Sequence, residues 1–114
     1  NMRKLLTTLA ALTMVAAPVQ ASTFSRSFAT DHAKAFCLRA QSGENPQVAY
    51  GGAMGMTMTM YNFNMDLPFG PNFLEMSNEE TIRVTNEYTE YALQVADIIC
   101  PKESLELRQI TGRI

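Results

Sequence analysis

The stretch from Ser77 to Cys100 is the longest amphipathic run in the chain, and it carries its own start and stop. Glu80 follows Ser77 at capping-box spacing. The serine oxygen can accept from the Glu80 backbone N–H while the glutamate reaches back to the Ser77 N–H. Pro101 follows Cys100, and a residue before proline is biased away from the helical region. Ile82, Thr85, Tyr88, Ala92, Val95, Ala96 and Ile99 form one stripe, widened by Val84, Tyr91 and Ile98. Arg83, Glu87, Glu90, Gln94 and Asp97 lie opposite. A broad apolar face with a charged back marks a helix packed on a core. The pattern predicts a helix over 77–100, ending on one of two cysteines.

The N-terminal region reads differently. Arg3 and Lys4 precede an apolar run from Leu5 to Ala17, and Val19-Gln20-Ala21 offers a small-x-small exit. Basic start, short apolar core and alanine exit together predict a secretory signal peptide over 1–21. The apolar core is shorter than the ~20 residues that span a bilayer. Cleavage would leave a single small domain, 22–114, with no stable membrane span and a periplasmic or secreted location. It would take the formal charge from −2 to −4 by removing Arg3 and Lys4. Such an acidic balance argues against a nucleic-acid partner, which needs a basic face.

A first helix is expected over about 31–41. Thr30 is the candidate N-cap, with Asp31 in the first turn and Thr23–Ser27 as a frayed lead-in. Ala29, Ala33, Phe36, Cys37 and Ala40 share a face, and Gly43 supplies a left-handed stop. Cys37 and Cys100 thus each lie beside the apolar stripe of a helix. Two cysteines in an exported chain pair readily, because the compartment is oxidising. Redox dithiols favour C-x-x-C spacing, and zinc needs more ligands than this chain offers. A structural disulfide, Cys37–Cys100, is therefore expected to close the fold.

Asn45-Pro46 is a second helix start, with asparagine as cap and proline at the first position. The segment that follows is ambiguous. Met54, Met56, Met58 and Met60 alternate with glycine and threonine as in a strand, yet no second strong strand exists to pair with it. A helix over 46–62 is preferred. It carries Gly51, Gly52 and Gly55, each costing up to about 1 kcal/mol relative to alanine. Close approach of a neighbouring helix would compensate. Asp66-Leu67-Pro68-Phe69-Gly70-Pro71-Asn72 then breaks the chain. Phe63, Phe69 and Phe73, in or beside the break, either fold back as a lid on the core or form an exposed aromatic patch. After Pro101 a short helix is preferred over a strand, with Leu107, Ile110 and Ile114 on one face. The fold class is all-α: three main helices and a short C-terminal element, closed by one disulfide.

Little catalytic chemistry is available. His32 is the one histidine, expected at the surface or rim. With the cysteines paired, no Ser/His/Asp or Cys/His set can be assembled. Glu79 and Glu80 are explained by the helix dipole. No cofactor and no enzymatic activity are expected. The unusual feature is methionine, eight in all. Thioethers fill irregular cores or adaptable grooves, and soft sulfur ligands also select Cu(I). The first reading is a non-enzymatic binding module using Met54, Met56, Met58, Met60, Phe69 and Phe73, for an unidentified protein or a small apolar ligand. The second is periplasmic Cu(I) binding by Met54, Met56, Met58 and Met60. The third is a small periplasmic chaperone.

Phe36-Cys37-x-Arg39-Ala40 in a first helix, with a later helix closing on Cys100-Pro101, resembles a loose group of small exported two-cysteine proteins of marine cyanobacteria. The resemblance implies a helical, disulfide-closed fold. It brings no known activity.

Overall fold

The helices begin where side chains can satisfy their first N–H groups. The structure, a computed structural model, describes residues 24–114. The proposed signal peptide lies outside the described residues. These form α1 (Arg26–Gln41), α2 (Pro46–Met60), α3 (Asn78–Ile99) and α4 (Pro101–Thr111), with a short 3-10 turn at Phe73–Glu75. The described residues contain no strand. The all-α class is as read from sequence, and the disulfide joins Cys37 to Cys100 with both residues buried.

The expected start of α1 at Asp31 needs correction. The Ser25 hydroxyl accepts from the Phe28 N–H at 3.0 Å and caps the helix a full turn earlier. Phe24 and Phe28 are both buried, so this first turn is held by packing rather than frayed. At the far end Gly43, at φ 104°, donates to Ala40 O, and Glu44 donates to Arg39 O. That pairing is the Schellman stop, which needs a left-handed residue.

The Asn45 side chain accepts from the Gln47 and Val48 N–H groups and starts α2. The methionine segment is helix, and it stops at Met60 rather than Asn62. Asn62 and Phe63 both take φ 57°, donating to Thr59 O and Met58 O in a second Schellman turn. The expected role of the glycines also needs correction. Alanines make the close approach: Ala49 and Ala53 are fully buried. A Cβ at Gly51 or Gly55 would meet nothing, and one at Gly52 would meet only the Arg39 guanidinium. Arg39 lies there while pairing with Glu44 at 2.6 and 2.8 Å.

α3 has its full capping box, Ser77 with Glu80. Its buried seam is narrower than its apolar stripe. Val84, Tyr88, Ala92, Leu93 and Ala96 are buried, whereas Ile82, Ile98 and Ile99 are exposed. The reason is architectural. α1 lies between α2 and α3 and packs on both, while α2 and α3 make no comparable contact with each other. α1 covers the main seam, and α4, whose Arg108 pairs with Glu90 and Asp97, leaves those isoleucines uncovered. α4 folds back against the other three and buries Ser104 and Leu107, leaving Ile110 and Ile114 exposed. Ser104 donates to Asp97 at 2.5 Å, and Arg108 bridges Asp97 at 2.8 Å and Glu90 at 3.1 Å. These bonds hold the Asp97 carboxyl below its ordinary pKa, the guanidinium first among the causes.

The core has two parts. Cys37, Cys100, Phe36, Leu93, Leu107 and small alanines fill the cross-linked end. Phe24, Phe28, Met58, Tyr88 and Ala92 fill the other, an aromatic end.

Two outcomes follow from this packing. Gly51→Ala and Gly55→Ala should each raise stability by about 0.5–1 kcal/mol in thermal or urea unfolding, since helix propensity improves and no atom is displaced. A Cys37→Ala/Cys100→Ala variant should lose about 4 kcal/mol, the chain-entropy value for a bridge across 63 positions. Urea midpoints that match the parent would overturn the structural role of the bond.

Candidate functional site

Keeping α2 and α3 apart leaves a gap at the aromatic end, and the connection between α2 and α3 fills it. The segment is pinned by short bonds. Ser25 N donates to Leu67 O at 3.1 Å, tying it to the start of α1. Gly70 N donates to Asp66 O at 2.9 Å, and Asp66 N to the Asn64 side chain at 3.1 Å. Phe69 packs edge-on against Tyr88 with centroids 5.1 Å apart, and lies 4.7 Å from Phe73. Pro68 and Gly70 are buried beside it. Of the two expectations, the lid describes Phe69, which packs on the core and also lines a cavity; Phe73 packs on Phe69 and lines the same cavity, and Phe63 is exposed.

That cavity has a volume of about 420 Å³. Met54 and Met58, one helical turn apart on α2, form one side. Met65, Pro68, Phe69, Phe73 and Leu74 from the connection form the other, with the carboxyl-bearing Asp66 and Glu75. Among the described residues, no lysine, arginine or histidine lines it.

Four of the six residues singled out from sequence come together here: Met54, Met58, Phe69 and Phe73. Met56 and Met60 do not. Residues two apart on a helix point to nearly opposite sides. Met60 is 61% exposed, and Met56 Sδ accepts from Arg39 Nη1 at 3.4 Å. The alternation that suggested one methionine-lined edge becomes two pairs on different faces. Sequence reasoning missed Met65, Pro68 and Leu74. Met65 and Pro68 lie in irregular backbone and Leu74 in the short 3-10 turn, where no periodicity assigns a side chain to a face; their one signal was proximity to Phe69 and Phe73.

The histidine connects to this site through Tyr88, on which Phe69 packs. It was expected at the rim, but His32 is fully buried. Its Nε2 lies 2.9 Å from Tyr50 O and its Nδ1 2.7 Å from the Tyr88 hydroxyl. A carbonyl only accepts, so Nε2 carries the proton and Nδ1 accepts from Tyr88. The imidazole is neutral in this arrangement, and burial pushes its pKa below 6.5, with the Tyr50 carbonyl partly opposing. Burial likewise raises the Tyr50 and Tyr88 phenols. The Tyr50 hydroxyl is buried without a hydrogen-bond partner among the described residues. His32 is a structural pin rather than an accessible base. Tyr61 donates to Asp31 at 2.6 Å, which raises the phenol pKa and ties the end of α2 to α1.

Among the described residues, no cluster of three His, Cys, Asp or Glu side chains is placed to hold a metal. No described helix is long and apolar enough to cross a membrane.

A histidine whose folded pKa is depressed binds its proton more readily in the unfolded chain. Its contribution is complete above 6.5 and is lost as pH falls toward the folded value. Unfolding free energy should therefore drop by up to about 1.4 kcal/mol per pH unit in that window. In His32→Gln that component should vanish, leaving only the carboxylate contribution at lower pH. Urea midpoints measured from about pH 5 to about pH 8, on both sides of the ordinary histidine value, would show the difference.

No family model matches the chain, and comparison with curated proteins and with solved structures finds no similar one.

Proposed function

We propose that this protein is an exported, non-enzymatic binding module that holds a small apolar ligand in the cavity between Met54 and Phe73. The cavity is the observation that carries the reading. Its volume falls within the roughly 300–1,000 Å³ range of small-molecule sites. Its walls are thioether, aromatic, proline and leucine groups. Methionine suits such a wall because it is unbranched and polarizable and adapts to irregular shapes. Export is supported by the buried bond between the chain's two cysteines, which an oxidising compartment favours, and by the signal-like pattern of its first residues. A non-enzymatic role is supported by the placement of the reactive groups. His32 is locked inside the core, and both thiols are in the disulfide.

The Cu(I) reading draws less support. Its four methionines divide between two faces of α2, so no single site collects them. A chaperone would use the same surface, and no separate observation favours it.

A neutral fluorescent probe, N-phenylnaphthylamine, should bind the oxidised protein saturably. Phe73→Ala and Met54→Gln should each weaken binding about tenfold, the equivalent of roughly 1.4 kcal/mol of lost apolar contact. Met56→Gln and Met60→Gln, on the other face, should leave it unchanged. Absence of saturable binding would sink the proposal, as would equal losses from both pairs.

A further inference from the structure

The cavity has a sign as well as a shape. Its two ionisable lining side chains, Asp66 and Glu75, are both acids, and both are exposed where the cavity meets solvent. Among the described residues, no cation lines it to balance them. The wall formed by Met54 and Met58 belongs to the last two turns of α2, the negative end of that helix dipole. The opposing positive end of α3 already meets Glu79 and Glu80 in its own first turn. Guanidinium groups on α1 and α3 have partners of their own. Arg83 pairs with Glu87 at 3.2 Å, and Arg26 lies over the Tyr91 ring at 5.5 Å. An apolar chamber with an acidic mouth rejects a fatty acid or an alkyl sulfate, whose head group would sit against like charge. It accepts a head group of the opposite sign.

We propose that the ligand of this cavity is an amphipathic cation: a single apolar chain or ring carrying an amine or quaternary ammonium group. The apolar body occupies the space between Met54, Met58, Phe69 and Phe73. The cationic head lies at the mouth between Asp66 and Glu75. This rests on the apolar-ligand reading above and adds the charge of the ligand to it. Head-group attraction acts through solvent, so it is screened by salt, while burial of the tail is not.

Three probes with one tail separate the two claims: decyltrimethylammonium, decyl maltoside and decyl sulfate, each kept below its micelle-forming concentration. Binding to the oxidised protein is measured by calorimetry at low and high salt. Decyltrimethylammonium should bind about tenfold or more tightly than decyl sulfate at low salt, with the maltoside between them. The gap should narrow as salt rises. In Asp66→Asn/Glu75→Gln, whose changes are both at exposed positions, the three affinities should converge on that of the maltoside. Equal binding of all three by the parent protein would overturn the charge preference and leave the apolar cavity standing. So would a preference that survives in the double variant. Failure of all three probes to bind would overturn both readings.

Discussion

One imidazole holds three helices in register. His32 projects from α1, receives a hydrogen bond from Tyr88 on α3, and donates to the Tyr50 carbonyl of α2. Because α2 and α3 barely touch, these two bonds form a direct polar tie across the middle of the bundle. The bond to Tyr88 is buried and the one to Tyr50 partly so, and in a buried setting an unmade bond costs about 1–3 kcal/mol. The arrangement works only with neutral imidazole, which is one donor and one acceptor, the combination that a carbonyl and a phenol require. Around the pin, Tyr50 stacks on His32 with centroids 4.2 Å apart, and Phe36 meets Tyr50 edge-on. The pin joins the two parts of the core: Tyr88 belongs to the aromatic end, while Phe36, with Tyr50 packed against it, belongs to the cross-linked end, where alanines are small enough for helices to sit close.

The same central placement of α1 creates the candidate site. A helix buried on two sides separates its neighbours, and their free ends leave a space that side chains from regular structure do not fill. The connection from Tyr61 to Ser77 fills it with proline, phenylalanine and methionine. Phe63 takes a left-handed backbone conformation that bulky residues rarely adopt, a cost accepted so that the chain can turn back at once over the bundle end. α4 closes the opposite side by ionic means. Arg108 gathers Glu90 and Asp97 from the charged back of α3, so part of that back serves as a second docking face.

Local signals were the legible part of this fold. Asn45-Pro46, Gly43, the Ser77–Glu80 box and Cys100-Pro101 each mark a boundary that the backbone adopts, because capping is decided within a few residues. The start of α1 was misread because Thr30 and Asp31 also satisfy a capping pattern. Burial of Phe24 and Phe28, a tertiary effect, favours Ser25 instead. The exposed isoleucines of α3 show the same limit, since periodicity reports how much of a helix could be covered and not how many neighbours arrive. His32 was misplaced for that reason: its partners are 18 and 56 positions away. For the site, the aromatic turn was visible as composition. Which methionines join it depended on choosing helix over strand, and Met65, Pro68 and Leu74, in or beside the break, carry no periodic signal.

The two-part core makes the molecule uneven along its length. At one end the disulfide and the buried Phe36, Leu93 and Leu107 join α1, α3 and α4. At the other, a segment without a helical ladder rests on Tyr88 through one aromatic face and a few backbone bonds. Local opening free energies are lowest where backbone lacks such a ladder. Amide protons of residues 61–77 should therefore exchange through small openings that leave the cross-linked end intact. For a bound apolar molecule of the proposed kind, such openings would offer a way in and out while the helices stay in register, so that its exchange would be kinetically separate from survival of the fold.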